Sequence, residues 1–284
     1  MRIVTIIGAR PQFIKAAAVS RILRKEMQEV LIHTGQHYDY NMSDIFFDEL
    51  DIPKPDYNLG ISGGSHGEMT GAMLSAIEKI LVQEKPDAVL DPMYDAFIYY
   101  GDKLTDENRN NMVDFDGNAV IQPNEFYYLT CHRQENTDTD STLLEIFKAM
   151  NSLDAPTIYP VHPRNHDRAK RLCETNNFQN IFLIQPVGYL TSIALVKDAK
   201  KVVTDSGGLQ REAFFAGTQC IFIFPYVAWP ETMVGNRNQL ASPDKDDILS
   251  KLAVEQTIDA SYQPFGDGYA GTKITEYLLK KFKS

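Results

Sequence analysis

Short β-branched or apolar runs recur along this chain, each stopping at glycine, histidine or aspartate and each followed by a stretch of helical character. That alternation constrains its fold more than any other feature. Residues 3–7 (IVTII) end at Gly8, and Pro11 followed by FIKAAAVSRILRK reads as a helix with proline in its first turn. The pattern returns in EVLIHTG, in a helix from Ser43 to Leu50, in a Gly/Ser loop at Ser62 to Gly67 and in a helix from about Glu68 to Gln83. The second half repeats it. EFYYLTCHR precedes a helix around Leu143 to Ser152, PTIYPVHP a helix over Asp167 to Cys173, and NIFLIQP a helix near Leu190 to Asp198. KVVTDSGG then precedes a helix from Gln210 to Phe215, followed by the strand TQCIFIF and a closing helix that ends in KKFKS. Strands that alternate with helices imply parallel sheets covered on both faces, so the expected class is α/β with two Rossmann-like domains. The expected boundaries are 1–100 and 101–265, with a helix in 266–284 packing back on the first domain; the hydrophilic stretch from Tyr100 to Gln122 reads as a loop or frayed helix linking them.

The chain has 284 residues, 43% of them hydrophobic, enough for two cores. Its 28 basic and 38 acidic residues give a formal charge of -10, which argues against a general nucleic-acid binder and a polybasic membrane anchor. An anionic ligand therefore requires a local positive pocket. Three cysteines, Cys131, Cys173 and Cys220, contain no close pair, which speaks against a disulfide framework or a cysteine zinc site and for a reducing compartment. The apolar run in MRIVTIIGAR is too short for a signal-peptide core or a membrane span, and the expected location is the cytoplasm.

The chemistry-bearing residues fall just after the expected strands, where open parallel sheets bind ligands. In GARPQFIK, Arg10 and Lys15 lie at the mouth of the first strand, beside a helix N-terminus suited to a diphosphate or a developing anion; the plainer alternative is a solvated Arg and Lys. In TDSGGLQREAFFAG, Ser206, Gly207 and Gly208 let backbone amides approach phosphate oxygens, and Glu212 is placed to accept ribose hydroxyls; the alternative is a plain turn with an N-cap. His37 beside Gln36, His132, and His162 beside Arg164 follow strands and suit proton transfer or phosphate binding; a satisfied loop histidine is the plainer alternative for each, and the best fit for His33 and His66. No HxxxH spacing supports a metal site. Glu231 in WPET is a candidate to hold a ligand hydroxyl, and GDG within PFGDGYA is as compatible with a simple turn.

Taken in order, GARPQFIK, GQHYD, CHRQEN, VHPRN, TDSGGLQREA, WPET and GDG resemble the signature of the non-hydrolysing UDP-N-acetylglucosamine 2-epimerases over nearly the whole chain. The resemblance implies a GT-B-like pair of Rossmann-like domains. It also implies anti elimination of UDP from UDP-GlcNAc through 2-acetamidoglucal, with return of UDP to give UDP-ManNAc. No metal or nicotinamide cofactor is implied. The implied setting is cell-surface polysaccharide synthesis by a homodimer. By the same resemblance Arg10, Lys15 and His132 are catalytic, His132 assisting the leaving diphosphate. Ser206, Gly207 and Gly208 hold the diphosphate, Glu212 the ribose, and His162, Arg164 and Glu231 the rest of the substrate. Gln36 and His37 match a motif near a second, activating substrate site.

One departure is large. After EKPDAVL, ending at Leu90, the family pattern continues with a Gly-Asp-Thr loop, a strand bearing His-Val-Glu-Ala-Gly-Leu-Arg and a Pro-Glu-Glu-x-Asn-Arg helix, whereas this chain goes directly to DPMYDAF. The absent stretch is about 80 residues, two to three strand–helix units. It would carry the family's three acidic catalytic candidates, and neither Asp91 nor Asp95 at the junction matches them. A further departure is Phe224, where many members carry arginine. Loss of a general acid or base costs about 10²–10⁴-fold in rate, so the chain is expected to be a poor epimerase, with exposed sheet edges in a truncated first domain. Either the chain carries a deletion or the sequence joins parts of a longer protein. A non-catalytic UDP-sugar binding protein and a glycosyltransferase of the same fold are the competing readings.

Overall fold

A computed structural model of the chain describes residues 2–8, 10–35, 44–61, 66–86 and 94–282. The chain divides into two units, Met1–Lys103 with Phe265–Ser284, and Leu104–Pro264.

The first unit contains β1 (Arg2–Ile7), α1 (Arg10–Glu26), β2 (Gln28–His33), α2 (Asp44–Glu49), β3 (Tyr57–Asn58), α3 (His66–Glu84), α4 (Tyr94–Gly101) and the C-terminal helix Ala270–Phe282. Strand β1 runs parallel to β2, in register from Arg2 opposite Gln28 to Ile7 opposite His33, and β2 pairs with β3. Alternation along β1 sends successive side chains to opposite faces. Ile3 packs with Val19 and Leu23 of α1, with Met27 just after it and with Leu278 of the C-terminal helix, while Val4 packs with Val30, Ile32 and Ile80. A carboxylate enters this core with its polar partners. The Glu29 carboxylate accepts bonds from Thr5 Oγ1 (2.5 Å), Ser20 Oγ (2.6 Å) and Arg24 Nε (2.6 Å), which offsets the cost of burying its charge. His33, expected to be a satisfied loop histidine, instead ends strand β2 and is buried between the rings of Phe13 (5.4 Å) and Phe47 (5.9 Å).

The second unit contains α5 (Asp106–Asn110), β4 (Tyr127–Thr130), α6 (Gln134–Thr137), α7 (Asp140–Asn151), β5 (Thr157–Pro160), α8 (His166–Thr175), β6 (Ile181–Ile184), α9 (Tyr189–Asp198), β7 (Val202–Thr204), α10 (Gly207–Ala216), β8 (Cys220–Ile223), β9 (Asn238–Ala241) and α11 (Lys245–Leu252). Its six strands are all parallel, in the order β6-β5-β4-β7-β8-β9. In chain order that is 3-2-1-4-5-6, the doubly wound dinucleotide-binding arrangement, whose order reverses between β4 and β7. Leu129, Phe147, Tyr159 and Ile221 fill one face, and Phe126, Tyr128, Ile158 and Val202 the other. The sheet of the first unit has only the 3-2-1 half of this order: among the described residues no strand sits beside β1 where β7 sits beside β4.

Several elements differ from the sequence expectation. Tyr100–Gln122 holds the short helix α5, closed by a capping box between Thr105 and Asn108, and a bridge between Val113 and Ala119. This order comes from side-chain and turn hydrogen bonds, which hydrophobic periodicity does not register. Strand β9 and helix α11 were not expected, because NQLA and KDDILSKL bury few apolar side chains, among them Ala241, Ile248 and Leu252. Helix α10 begins at Gly207, three residues before the expected start at Gln210; the low helix propensity of glycine is overridden by the Ser206 cap.

Candidate functional site

The reversal point between β4 and β7 gathers polar groups. Thr130 and Thr204, the last residues of the two strands, share a hydroxyl bond of 2.6 Å. Asp205 follows and is wholly buried. Its Oδ2 accepts the backbone N–H groups of His132 (2.9 Å) and Arg133 (2.8 Å), and Asn136 Nδ2 donates to the same oxygen at 3.3 Å. The His132 ring approaches from above, its Nδ1 3.2 Å from Asp205 Oδ1. A carboxylate at this depth is tolerable only with such a donor set, so Asp205 folds the turn that carries His132.

Neighbouring side chains brace the same turn. Tyr159 donates its hydroxyl to the Cys131 carbonyl at 2.7 Å. Burial first, and the Asp205 carboxylate second, hold the Cys131 thiol well above its ordinary range, so this cysteine is no nucleophile. Arg133 Nε donates to the Asp205 carbonyl at 2.8 Å while its guanidinium lies 4.2 Å over the ring of Phe224, the residue that stands where arginine was expected. After β5, His162 Nδ1 accepts the Arg164 N–H at 3.2 Å, and the Arg164 guanidinium donates to the His132 carbonyl. His132, His162 and Arg164, singled out separately in the sequence, therefore form one cluster.

Beside it stands the N-terminus of α10. Ser206 Oγ accepts the Leu209 N–H at 3.4 Å as the N-cap, and Gly207 and Gly208 occupy the first turn, where backbone N–H groups lack carbonyl partners and the helix end carries positive partial charge. Neither glycine puts a side chain in front of these amides, and a Cβ at Gly207 would lie 3.5 Å from Trp229 Nε1. Gln210 Nε2 donates to Thr232 Oγ1 at 2.9 Å, which fixes the segment holding exposed Glu231 against α10. Glu212, on the second turn of α10, is only 5% exposed. Of the candidates in the first unit, Lys15 is half-buried on α1 and Arg10 opens that helix. The Arg10 side chain, Gln36 and His37 lie outside the described residues. Among the described residues no group of three or more His, Cys, Asp or Glu could hold a metal, and no helix is long and apolar enough to cross a membrane.

Asp205 is the residue that reading the sequence for chemistry passed over. Its signal was an acid placed directly after the buried run KVVT, a position where an unpartnered charge is costly.

The sequence model of UDP-N-acetylglucosamine 2-epimerases matches residues 21–90 and 91–279. The chain belongs to the UDP-N-acetylglucosamine 2-epimerase family. Within that family it is 34% identical to a UDP-N-acetylglucosamine 2-epimerase homolog of Methanococcus maripaludis over 362 aligned positions, covering 98% of this chain and 99% of that protein. It is 33% identical to the UDP-2,3-diacetamido-2,3-dideoxy-D-glucuronate 2-epimerase of Pseudomonas aeruginosa over 366 positions, covering 99% of this chain and 100% of that one. Among solved structures, the UDP-GlcNAc 2-epimerase of Methanocaldococcus jannaschii in complex with UDP-GlcNAc and UDP superimposes with a TM-score of 0.84 at 27% identity, covering 99% of this chain and 100% of that one. The epimerase fold is accordingly of the GT-B-like α/β class, with parallel sheets. Alignments of 362 and 366 positions exceed the 284 residues of this family member, and the family match breaks between Leu90 and Asp91, so its relatives carry a stretch that this chain lacks.

Proposed function

We propose that this chain acts on UDP-N-acetylglucosamine or a close UDP-2-acetamido sugar, interconverting UDP-GlcNAc and UDP-ManNAc by elimination and re-addition of UDP. The observation that carries the reading is the pairing of a glycine-opened helix N-terminus, α10, with the His132–Asp205 turn at the strand-order reversal of the second unit. In this proposal Ser206, Gly207 and Gly208 take the diphosphate and Glu212 the ribose. His162, Arg164 and Glu231 bind further parts of the substrate, and His132 stabilises the departing diphosphate. Arg10 and Lys15 are catalytic in the same proposal, and Gln36 and His37 belong to a second substrate site. The relatives' names and the UDP-GlcNAc and UDP held by the Methanocaldococcus jannaschii structure support the substrate class. The three cysteines, all buried and unpaired, support a reducing compartment, the cytoplasm. A homodimer belongs to the same proposal, and a monomeric mass of 32.1 kDa in light scattering would remove it.

The test is an NMR assay for conversion of UDP-GlcNAc to UDP-ManNAc, run beside calorimetric titration with UDP. Because the acidic catalytic residues implied by the resemblance fall in the stretch missing at Leu90–Asp91, the expected turnover is measurable but slower than that of a full-length relative. Binding of UDP with no detectable UDP-ManNAc would reduce the chain to a UDP-sugar binder. Absence of UDP binding would sink the proposal.

A further inference from the structure

The geometry points to a residue that the motif chemistry left unassigned: Arg133 binds the diphosphate through both Nη groups, with its guanidinium held in place over the ring of Phe224. The assignment rests on the diphosphate reading of the α10 N-terminus.

Arg133 is tied to Asp205 at both ends. Its backbone N–H donates to Asp205 Oδ2 at 2.8 Å, and its side-chain Nε donates to the Asp205 carbonyl at 2.8 Å. That carbonyl belongs to the residue just before Ser206, the N-cap of α10. The guanidinium therefore stands beside the helical turn that Gly207 and Gly208 open. Phe224, the residue after β8, covers one face of it, with Cζ 4.2 Å from the ring centroid.

Neither contact neutralises the group, because a carbonyl and an aromatic ring carry no net charge. Among the described residues Arg133 makes no ion pair, and its Nη1 and Nη2 have no hydrogen-bond partner. The side chain is half-buried rather than sealed. With Nε engaged, the edge formed by Nη1 and Nη2 faces away from the Asp205 carbonyl. That edge is a planar fork of donors whose spacing matches two oxygens of one phosphate. Because the side chain is already ordered, it loses little rotamer freedom when an anion arrives, so Phe224 raises affinity without touching the ligand. The positive charge expected at position 224 is thus delivered over that position from the turn after β4, in a chain whose formal charge of -10 demands a local positive pocket.

The experiment is titration of the whole chain with UDP by calorimetry and with uridine by NMR, since uridine has the same base and ribose but no diphosphate. In Arg133→Gln, UDP affinity is expected to fall about 10–100-fold, the loss of one or two charge-assisted bonds, while uridine binds as before. The loss is expected to be equal at about pH 6 and about pH 8, because a guanidinium keeps its charge where the neighbouring histidines titrate. Phe224→Leu keeps an apolar side chain but removes the aromatic face, and UDP affinity is expected to fall about threefold to tenfold, again with uridine unchanged. UDP affinity that stays within about twofold in Arg133→Gln would overturn the assignment. So would equal losses for UDP and uridine, the mark of an arginine that only shapes the turn. If Arg133→Gln fails to fold, Phe224→Leu decides by the same comparison of UDP with uridine. An unsubstituted chain that binds UDP no more tightly than uridine would overturn the diphosphate reading of α10 together with this assignment. A chain that prefers UDP and keeps the whole preference in Arg133→Gln overturns the assignment alone.

Discussion

The Gln210 side-chain amide donates to the Thr232 hydroxyl across 2.9 Å, and that hydroxyl in turn donates to the Trp229 carbonyl at 2.8 Å. This pair of bonds clamps the WPET segment to the helix whose N-terminus opens with two glycines, and Thr232 at its centre is wholly buried. Thr232→Val keeps the shape and removes the hydroxyl, leaving the buried Gln210 amide short of its acceptor, while the Trp229 carbonyl keeps the Thr232 N–H at 3.1 Å. The expected cost is about 1–3 kcal/mol in urea unfolding. UDP affinity is expected to fall with it; unchanged stability would show that the clamp is dispensable.

Gly207→Ala separates fold from binding. A Cβ there meets Trp229 Nε1 at an ordinary 3.5 Å, so stability is expected to change by no more than about 0.5–1 kcal/mol. The methyl group nonetheless stands beside the first-turn amides, and UDP binding is expected to weaken about tenfold or more, equivalent to about 1.4 kcal/mol. Calorimetry with full affinity retained would remove the α10 N-terminus from the site.

In the first unit, Glu29→Gln replaces a buried acceptor that serves Thr5, Ser20 and Arg24. The amide nitrogen cannot accept, so at least one donor loses its bond at a cost of about 1–3 kcal/mol. Hydrogen exchange is expected to quicken at β1 and β2 amides and to stay slow at β4 and β7. Equal acceleration in both sheets would show that the loss is not local to the Glu29 site.

The buried thiols give the pH dependence a definite sign. Burial raises Cys131 and Cys220 from the ordinary 9.0, and Cys173 is pushed up to about 11. Above the ordinary value the unfolded chain loses protons that the folded chain keeps, so stability is full below about pH 9 and declines as pH rises further. Cys131 and Cys220, both deeply buried, each contribute a slope of about 1.4 kcal/mol per pH unit in that window. Chemical denaturation at stepped alkaline pH measures this, and stability that rises above pH 9 would contradict it. Alkylation of the native chain at about pH 8 is expected to be slow at all three cysteines.

Much of the second unit is legible in the sequence because its physics is local. A run such as KVVT can hide both faces only inside a parallel sheet, and Ser206 followed by two glycines starts a helix wherever the run ends. The motif histidines and the glycine pair were visible for the same reason. Other features leave no such trace. Strand β9 buries too little to show a period, and α5 is held by a capping box.

Which residues meet was decided by the tertiary structure. Asp205 and His132 come from neighbouring strand ends that are far apart along the chain, as do Arg164 and the His132 carbonyl. Strand order brings them together, and strand order depends on crossovers that no local window contains. By itself the sequence determined the alternation of strands and helices, the family motifs and the break after Leu90. Only the folded chain decided that a buried carboxylate with no obvious role would sit beneath the imidazole, because the cost of burying charge is met by donors that distant segments supply.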